Sequence, residues 1–457
     1  MYEEDTIAAI ATPPGEGGIA IVRISGTGAE GIASKIFSRA QSKNGALQSH
    51  RLYHGEIRDP KSNCMVDEVL LTVMRKPRSY TGEDVVEIHC HGGAFLVRKI
   101  LGLALAQGAR QAERGEFTKR AFLNGRMDLS QAEAVLDLIR ARTDKGAQVA
   151  LTQAGGGLSK WVRDTRNELL DILVQVEAAI DFPEEEIELL RRPDLITEID
   201  RLRQKLIEII ATYEWGRIFR EGASVCICGR PNVGKSSLLN ALLGDERVIV
   251  TSVAGTTRDV VEEAINLDGL PLVLWDTAGI RKTDHPIERL GVKLAREYLE
   301  KADAVIAVLD GSTPLTAADE ALLDEVVAKK VLIAINKVDL PQAFKVDALR
   351  KFGSHPISII SARTGEGICD LKNRLRELMI ESEVEPRIVL TNLRHRNALL
   401  RGDAALERAK IALAGGYAAE FIAVDLNEAN YALGEILGTI ANDDILERVF
   451  NDFCIGK

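Results

Sequence analysis

At 457 residues, with 46% hydrophobic and 28% charged residues, the chain has the composition of an ordinary globular protein and room for about two to four domains. No apolar run reaches membrane-spanning length and no basic-then-apolar leader opens the chain, so a cytoplasmic protein with no membrane partner is expected. A formal net charge of −10 argues against a chain that coats itself in nucleic acid, and six scattered cysteines without C-x-x-C spacing suggest neither a disulfide framework nor a zinc site.

Residues 1–120 read as an α+β unit, with strands at 6–11, 19–24, 66–74 and 85–89 and helices at 28–40 and 94–107. Residues 13–18, Pro-Pro-Gly-Glu-Gly-Gly, read as a tight strand connection rather than an anion loop. His89-Cys90-His91 puts two histidines on one strand face with no third ligand in reach, so it reads as a strand end running into Gly92-Gly93.

From 121 to 216 the pattern is helical. Trp161, Val162, Thr165, Leu169, Leu173, Val176 and Ile180 recur at three and four, as do Leu195, Ile199, Leu202, Leu206, Ile209 and Tyr213. Between them, 181–186 is an acidic break with a helix start at Pro183. From 217 to 380 strands alternate with helices: 225–228, 261–267, 272–275, 304–309, 331–335 and 356–360. Asp268-Gly269 marks a hairpin, and the other strands should be parallel. Helical spacing returns over 381–457, at Phe421, Val424, Ala429, Leu433, Leu437 and Ile440. The expected architecture is a helical domain in two segments, 121–216 and 381–457, with the 217–380 domain inserted between them.

Residues 229–236, Gly-Arg-Pro-Asn-Val-Gly-Lys-Ser, follow a strand and open an apolar helix. This is a complete phosphate-binding loop: glycines admit backbone N–H groups to phosphate oxygens, Lys235 reaches the outer phosphates and the Ser236 hydroxyl suits Mg²⁺. Three segments nearer the C-terminus point to guanine as the base. Asp276-Thr277-Ala278-Gly279 ends one strand, the aspartate able to hold the metal through water and the Gly279 N–H to meet the γ-phosphate. Asn336-Lys337-Val338-Asp339 ends another, and a carboxylate at Asp339 accepts two N–H bonds that guanine offers and adenine does not. Ser361-Ala362-Arg363 comes after the last strand and can bring the Ala362 N–H to guanine O6.

Thr256-Thr257-Arg258-Asp259 has the place of a switch that closes over Mg²⁺. Ile280 stands where many GTPases carry a water-orienting glutamine, so another polar group is needed, with candidates over 281–288. The Asn232 amide oxygen is placed to bind a monovalent cation beside the phosphates, or merely to brace the loop. At the end of the chain Cys454 lies near Lys457, a cation that lowers a thiol pKa if close, and Gly456-Lys457 breaks the pattern of a prenylation box.

Together these motifs resemble the bacterial MnmE (TrmE) family of tRNA-modification GTPases, one of the TrmE-Era-EngA-like GTPases. The resemblance runs the whole length: Asp5-Thr-Ile, Ala11-Thr-Pro-Pro-Gly15, Ser79-Tyr-Thr-Gly-Glu-Asp84, Gly115-Glu-Phe117, Ala121-Phe-Leu-Asn124, Ala179-Ile-Asp-Phe-Pro183, the GTPase motifs and the Cys-Ile-Gly-Lys tail. It implies a multidomain α/β chain with an N-terminal folate-binding and dimerisation domain, a discontinuous helical domain and an inserted Ras-like GTPase domain. It further implies a homodimer that joins MnmG in a heterotetramer and acts on tRNA. The product carries an aminomethyl or carboxymethylaminomethyl group at C5 of the wobble uridine. The one-carbon unit comes from 5,10-methylene-tetrahydrofolate (5-formyl-tetrahydrofolate being the related ligand), with FAD only through the partner.

By the same resemblance GTP is bound by Asn232, Val233, Gly234, Lys235, Ser236, Ser237, Thr251, Ser252, Val253, Ala254, Gly255, Thr256, Thr257, Asp276, Thr277, Ala278, Gly279, Asn336, Lys337, Asp339, Ser361, Ala362 and Arg363. Mg²⁺ falls to Ser236 and Thr257, and K⁺ to Asn232, Thr251, Val253 and Thr256. Glu288 positions the attacking water, Cys454 acts in the modification, and Arg23, Glu87, Arg126 and Lys457 line the folate site. The family often has lysine where this chain has Arg126. A ribosome-assembly GTPase shares only the middle third and usually carries a basic appendage, of which this chain shows no convincing example.

Overall fold

The computed structural model describes residues 5–39, 46–181, 192–244, 262–276, 297–380, 387–440 and 443–457. The chain divides into two compact units, Met1–Leu136 with Gln153–Leu189 and Gly416–Lys457, and Asp137–Thr152 with Leu190–Gly415.

The first unit is built on a seven-stranded sheet. Its strands are β1 (Ile7–Ile10), β2 (Gly17–Ser25), β3 (Phe37–Arg39), β4 (Leu52–Arg58), β5 (Met65–Met74), β6 (Val85–Gly92) and β7 (Arg110–Gln111), in the order β3-β4-β5-β6-β2-β1-β7. Strict alternation in β5 sends Val69, Leu71 and Val73 to one face, where helices Ala29–Ile36 and Ala94–Ala106 cover them with Ile32, Ile36, Val97 and Ile100. The other face keeps Ile19, Leu52 and Leu70 exposed. In the same unit helix Gly157–Asp181 buries Val162, Thr165, Leu169, Leu173 and Val176, as its periodicity requires, and packs on helix Ala419–Leu437.

The second unit carries a six-stranded sheet: β8 (Ala223–Cys228), β9 (Glu262–Leu267), β10 (Leu270–Asp276), β11 (Ala304–Asp310), β12 (Val331–Asn336) and β13 (Ile357–Ile359). The order is β13-β12-β11-β8-β10-β9, and every pair is parallel except β9 with β10. Asp268 and Gly269, at φ +48° and +90°, make the expected hairpin turn. β11 is buried at every position because helices lie on both faces, which is why it reads as one apolar run. Helices Arg192–Ala211 and Leu393–Ala414 pack together in this unit.

Two expectations need correction and one gains detail. The helix expected over 28–40 ends at Ile36, and Phe37–Arg39 turns into a strand paired with β4. The stripe from Leu195 to Tyr213 is buried throughout, as expected, but is shared between two helices. Thr212 interrupts it, donating its hydroxyl to the Ile209 carbonyl and accepting from Leu390 N–H, and a second helix runs from Tyr213 to Glu221. Near the end, Phe421 and Val424 are exposed and Ile440 lies beyond the helix, while Ile422, Leu426 and Ile436 join Ala429, Leu433 and Leu437 on the buried face. Alanines at several positions blur that stripe. Among the described residues no helix is long and apolar enough to cross a membrane. The helix start at Pro183 lies outside the described residues.

Candidate functional site

The loop after β8 turns through Asn232 and Gly234, at φ +64° and +101°, into helix Lys235–Leu243. Gly234 leaves no room for a side chain, since a Cβ there would lie 2.2 Å from Asn336 Nδ2. Lys235 is only 8% exposed, and its ammonium donates to the carbonyls of Gly229 (2.9 Å) and Arg230 (2.8 Å). The loop thus surrounds a buried cation at a helix N-terminus, where N–H groups add partial positive charge. Arg230 braces the loop from outside by pairing with Asp319 at 2.8 Å. Asp319 also closes the capping box of helix Ala317–Val326 with Thr316.

At the other end of the cleft, Asn336 is buried at the tip of β12. Its Nδ2 donates to the Val233 carbonyl (2.8 Å) and its Oδ1 accepts the Ala362 N–H (2.9 Å), so one side chain joins the phosphate loop to the segment after β13. Lys337 sits at φ +68° with its ammonium 2.5 Å from Asp310. Burial pushes the Asp310 carboxyl up, but the Lys337 and Ser312 donors outweigh it and hold the group below the usual carboxylate range. Asp339 accepts from Ser361 Oγ at 2.6 Å and pairs with Arg363. The Ser361 hydrogen bond, with Arg363 charge behind it, keeps this carboxyl below its ordinary value. An ionised Asp339 therefore faces a cleft of about 530 Å³ that Asn232, Gly234, Ser237, Asn336, Lys337, Ala362 and Arg363 also line.

The structure brings Asn232, Val233, Gly234, Lys235, Ser236, Ser237, Asn336, Lys337, Asp339, Ser361, Ala362 and Arg363 to one end of the parallel sheet. It also gives some of them duties the motifs do not foretell. The Ala362 N–H is committed to Asn336, and Lys235 to loop carbonyls, so a nucleotide has to take these donors over. β10 ends at Asp276 beside Ile227 of β8. Residues 251–257, Thr277, Ala278, Gly279, Ile280 and Glu288 lie outside the described residues. Sequence reasoning missed Asp310 and Asp319, because neither belongs to a contiguous motif.

A second cluster forms in the first unit, where the end of the chain lies against the sheet. Ile455 bridges to Arg114, the Gly115 N–H donates to the Cys454 carbonyl at 3.4 Å, and the Arg23 guanidinium reaches the Gly456 carbonyl at 3.3 Å. Arg23 pairs with Glu87 at 2.8 Å, directly across from it in the β2–β6 register. The Arg23 guanidinium lies 5.4 Å from the centre of the Tyr80 ring and 5.6 Å from that of Phe117, and the Lys457 ammonium 5.7 Å from Tyr80. Burial first, and the Arg23 charge second, lower the Lys457 pKa. Arg126 donates from Nε to the Ser79 carbonyl at 3.2 Å. Arg23, Glu87 and Lys457 thus gather in one cluster around Tyr80 and Phe117. Arg126 reaches only its edge, and the Cys454 thiol is exposed. His89 and His91 do not converge: His91 pairs with Asp67, and His89 lies 3.6 Å from Glu87.

The strand order, the loop after β8 and the base-end residues after β12 and β13 define a Ras-like P-loop GTPase module within a larger α/β chain. Comparison with known proteins is specific beyond that. A family model described as the MnmE helical domain matches residues 129–454, and one described as the GTP-binding protein TrmE N-terminus matches 6–126. The chain is 45% identical to the tRNA modification GTPase MnmE of Levilactobacillus brevis, over 100% of this chain and 99% of that one. It is 47% identical to the protein of the same name from Carboxydothermus hydrogenoformans, over 99% and 100%. It is also similar to the solved G domain of the T. maritima FeoB iron transporter, with 30% identity and a TM-score of 0.28 over 35% of this chain and 99% of that one. The chain belongs to the MnmE family of tRNA modification GTPases.

Proposed function

We propose that the protein hydrolyses GTP in a K⁺-dependent cycle that gates, as a homodimer with MnmG, the C5 modification of the tRNA wobble uridine. The observation that supports this reading most is the placement of the tail. Cys454 is presented at the surface while Lys457 and Arg23 approach the Tyr80 ring beside Glu87. A plain switch GTPase has no use for such a pocket.

The pocket suits a reduced folate. Glu87 offers an acceptor for the N–H edge of a pterin, Tyr80 and Phe117 offer ring faces, and Arg23 and Lys457 offer cations for a glutamate tail. Bound there, the folate supplies the one-carbon unit, and FAD serves through the partner. In the nucleotide cleft Ser236 supplies a hard oxygen suited to Mg²⁺, with Thr257 its companion. Asn232 supplies an amide oxygen on the cleft wall suited to K⁺, with Thr251, Val253 and Thr256 completing the set.

Water attacks the γ-phosphorus in line, and the bond to the β–γ bridging oxygen breaks. Lys235 and the loop N–H groups stabilise charge on that oxygen, Glu288 orients the water, and its proton leaves with the phosphate. Asp339 selects guanine. The exposed residues Ile19, Leu52 and Leu70 give the open sheet face an apolar surface for a second copy. Reconstitution with MnmG, tRNA, methylene-tetrahydrofolate and GTP, in K⁺ and in Na⁺, followed by nucleoside analysis, tests the proposal. Modified uridine is expected only in the complete K⁺ mixture. Equal GTP turnover in both salts removes the cation role, and unmodified tRNA in the complete mixture removes the function.

A further inference from the structure

The acids near the tail are largely neutralised within the first unit. Asp5, Glu83 and Glu116 are bound by Arg110 and Arg120, Glu87 by Arg23, and Asp128 by Arg163. Four cations beside the tail have no carboxylate partner among the described residues: Arg78, Arg114, Lys119 and Arg126. Arg114 is exposed next to the bridge to Ile455, and Lys119 lies one helical turn beyond Gly115, whose N–H holds the Cys454 carbonyl. Arg78 is exposed at the opposite end, two residues before Tyr80, near which the Lys457 ammonium sits. The acids beside them are Glu113, exposed next to Arg114, Asp452, exposed two residues before Cys454, and the α-carboxylate that ends the chain at Lys457. In a chain of net charge −10, three arginines and a lysine without carboxylate partners beside the docked tail run against the overall balance. Local positive charge of this kind is the electrostatic footprint of a polyanion, and guanidinium groups fit phosphate geometry bidentately.

We propose that Arg78 and Arg114, at the two ends of the docked tail, form a phosphate clamp that holds the backbone of a single-stranded RNA loop across Cys454. The clamp rests on the proposed function, in which an anticodon loop is the substrate. A base that reacts near the tail has to be splayed from its loop, and the phosphates on either side then need fixed cations.

The test uses the full-length protein and a fluorescent anticodon stem-loop RNA, with Kd measured from 50 to 200 mM salt. Each phosphate contact to single-stranded RNA adds about 0.7 to the slope of log Kd against log salt. The R78Q/R114Q double variant should therefore lose about 1 to 1.5 units of slope and bind about five- to tenfold more weakly at the low end. R78K/R114K should keep most of the slope, and GTP hydrolysis and the unfolding midpoint should match wild type in both. Wild-type binding with an unchanged slope in R78Q/R114Q overturns the clamp and leaves the proposed function standing. Loss of MnmG association with RNA binding intact also overturns it, making the patch a protein interface. A wild-type chain that binds no RNA, alone or with MnmG, removes the functional reading and the clamp with it.

Discussion

The nucleotide cleft and the tail pocket are assembled by opposite routes. In the cleft each contributing segment comes after the C-terminal end of a parallel strand: the phosphate loop after β8, Asn336 to Asp339 after β12, and Ser361 to Arg363 after β13. Parallel sheets gather function at that edge, so short contiguous motifs carry most of the site. The tail pocket is gathered across the chain instead. Arg23 meets Glu87 through antiparallel register, and meets Gly456 across a separation of 433 residues. The contrast teaches that one chain can hold a site whose parts are local and a site whose parts exist only after folding. Each should fail in its own way.

The largest effect is expected in the cleft. Asp339→Asn replaces a carboxylate, held ionised by Ser361, with an amide that retains one acceptor. Two charge-assisted hydrogen bonds to guanine are lost, at about 1.5–3 kcal/mol each, so GTP should bind about 10²–10⁴-fold more weakly in a fluorescent-nucleotide titration. Xanthosine triphosphate, which carries a carbonyl in place of the guanine amino group, should regain much of that loss. The tail should not respond. GTP affinity within about threefold of wild type would place guanine recognition elsewhere.

The next effect belongs to the tail. Gly456 sits at φ +97°, and a Cβ on it would lie 2.2 Å from the Ile10 carbonyl oxygen. Gly456→Ala adds about 1–3 kcal/mol of backbone strain to that clash, enough to undock a four-residue tail. A nitroxide on Cys454, with the exposed Cys64 and Cys369 changed to serine, should turn from immobilised to largely mobile. Modification should fall at least about tenfold, by the loss of the docked population, while GTP hydrolysis holds. A label that stays immobilised would show that side-chain contacts, not the Gly456 backbone, hold the tail.

Legibility divides in the same way. All six strands of the nucleotide sheet are readable: β11 and β12, buried at every position, appear as unbroken apolar runs, and Asp268-Gly269 names the turn that joins β9 to its antiparallel neighbour β10. β3 and β4 are not, because Phe37-Ser-Arg continues a helical pattern and Leu52–Arg58 alternates only weakly. The cleft motifs specify residue types but not the cross-ties. Nothing local announces that Asn336 spans from Val233 to Ala362, or that Arg230 leans on Asp319. In the tail pocket the family resemblance supplies Arg23, Glu87 and Lys457, whereas the Tyr80 and Phe117 rings beside Arg23 emerge only from the sheet's register and the chain's return.

The smallest effect, and the sharpest on the comparison, is one of pH. Burial and the neighbouring Arg23 lower the Lys457 pKa from 10.5 in the docked tail, whereas an undocked tail keeps the ordinary value. Between the lowered value and 10.5 the undocked state binds more protons, so docking strengthens as pH rises through that window. Below the window the cost of holding a charged ammonium in the pocket is fully present and constant. Binding of an anionic folate has the opposite slope, because the same deprotonation removes a cation from the site. The spin label on Cys454 should therefore become less mobile with rising pH in ligand-free protein, while folate affinity falls over the same interval. Lys457→Met should flatten both curves and leave the nucleotide cleft's pH response as it was. A docking curve that stays flat over this interval would show that Lys457 titrates outside the pocket, and the tail would then be held by its contacts to Gly115, Arg114 and Arg23.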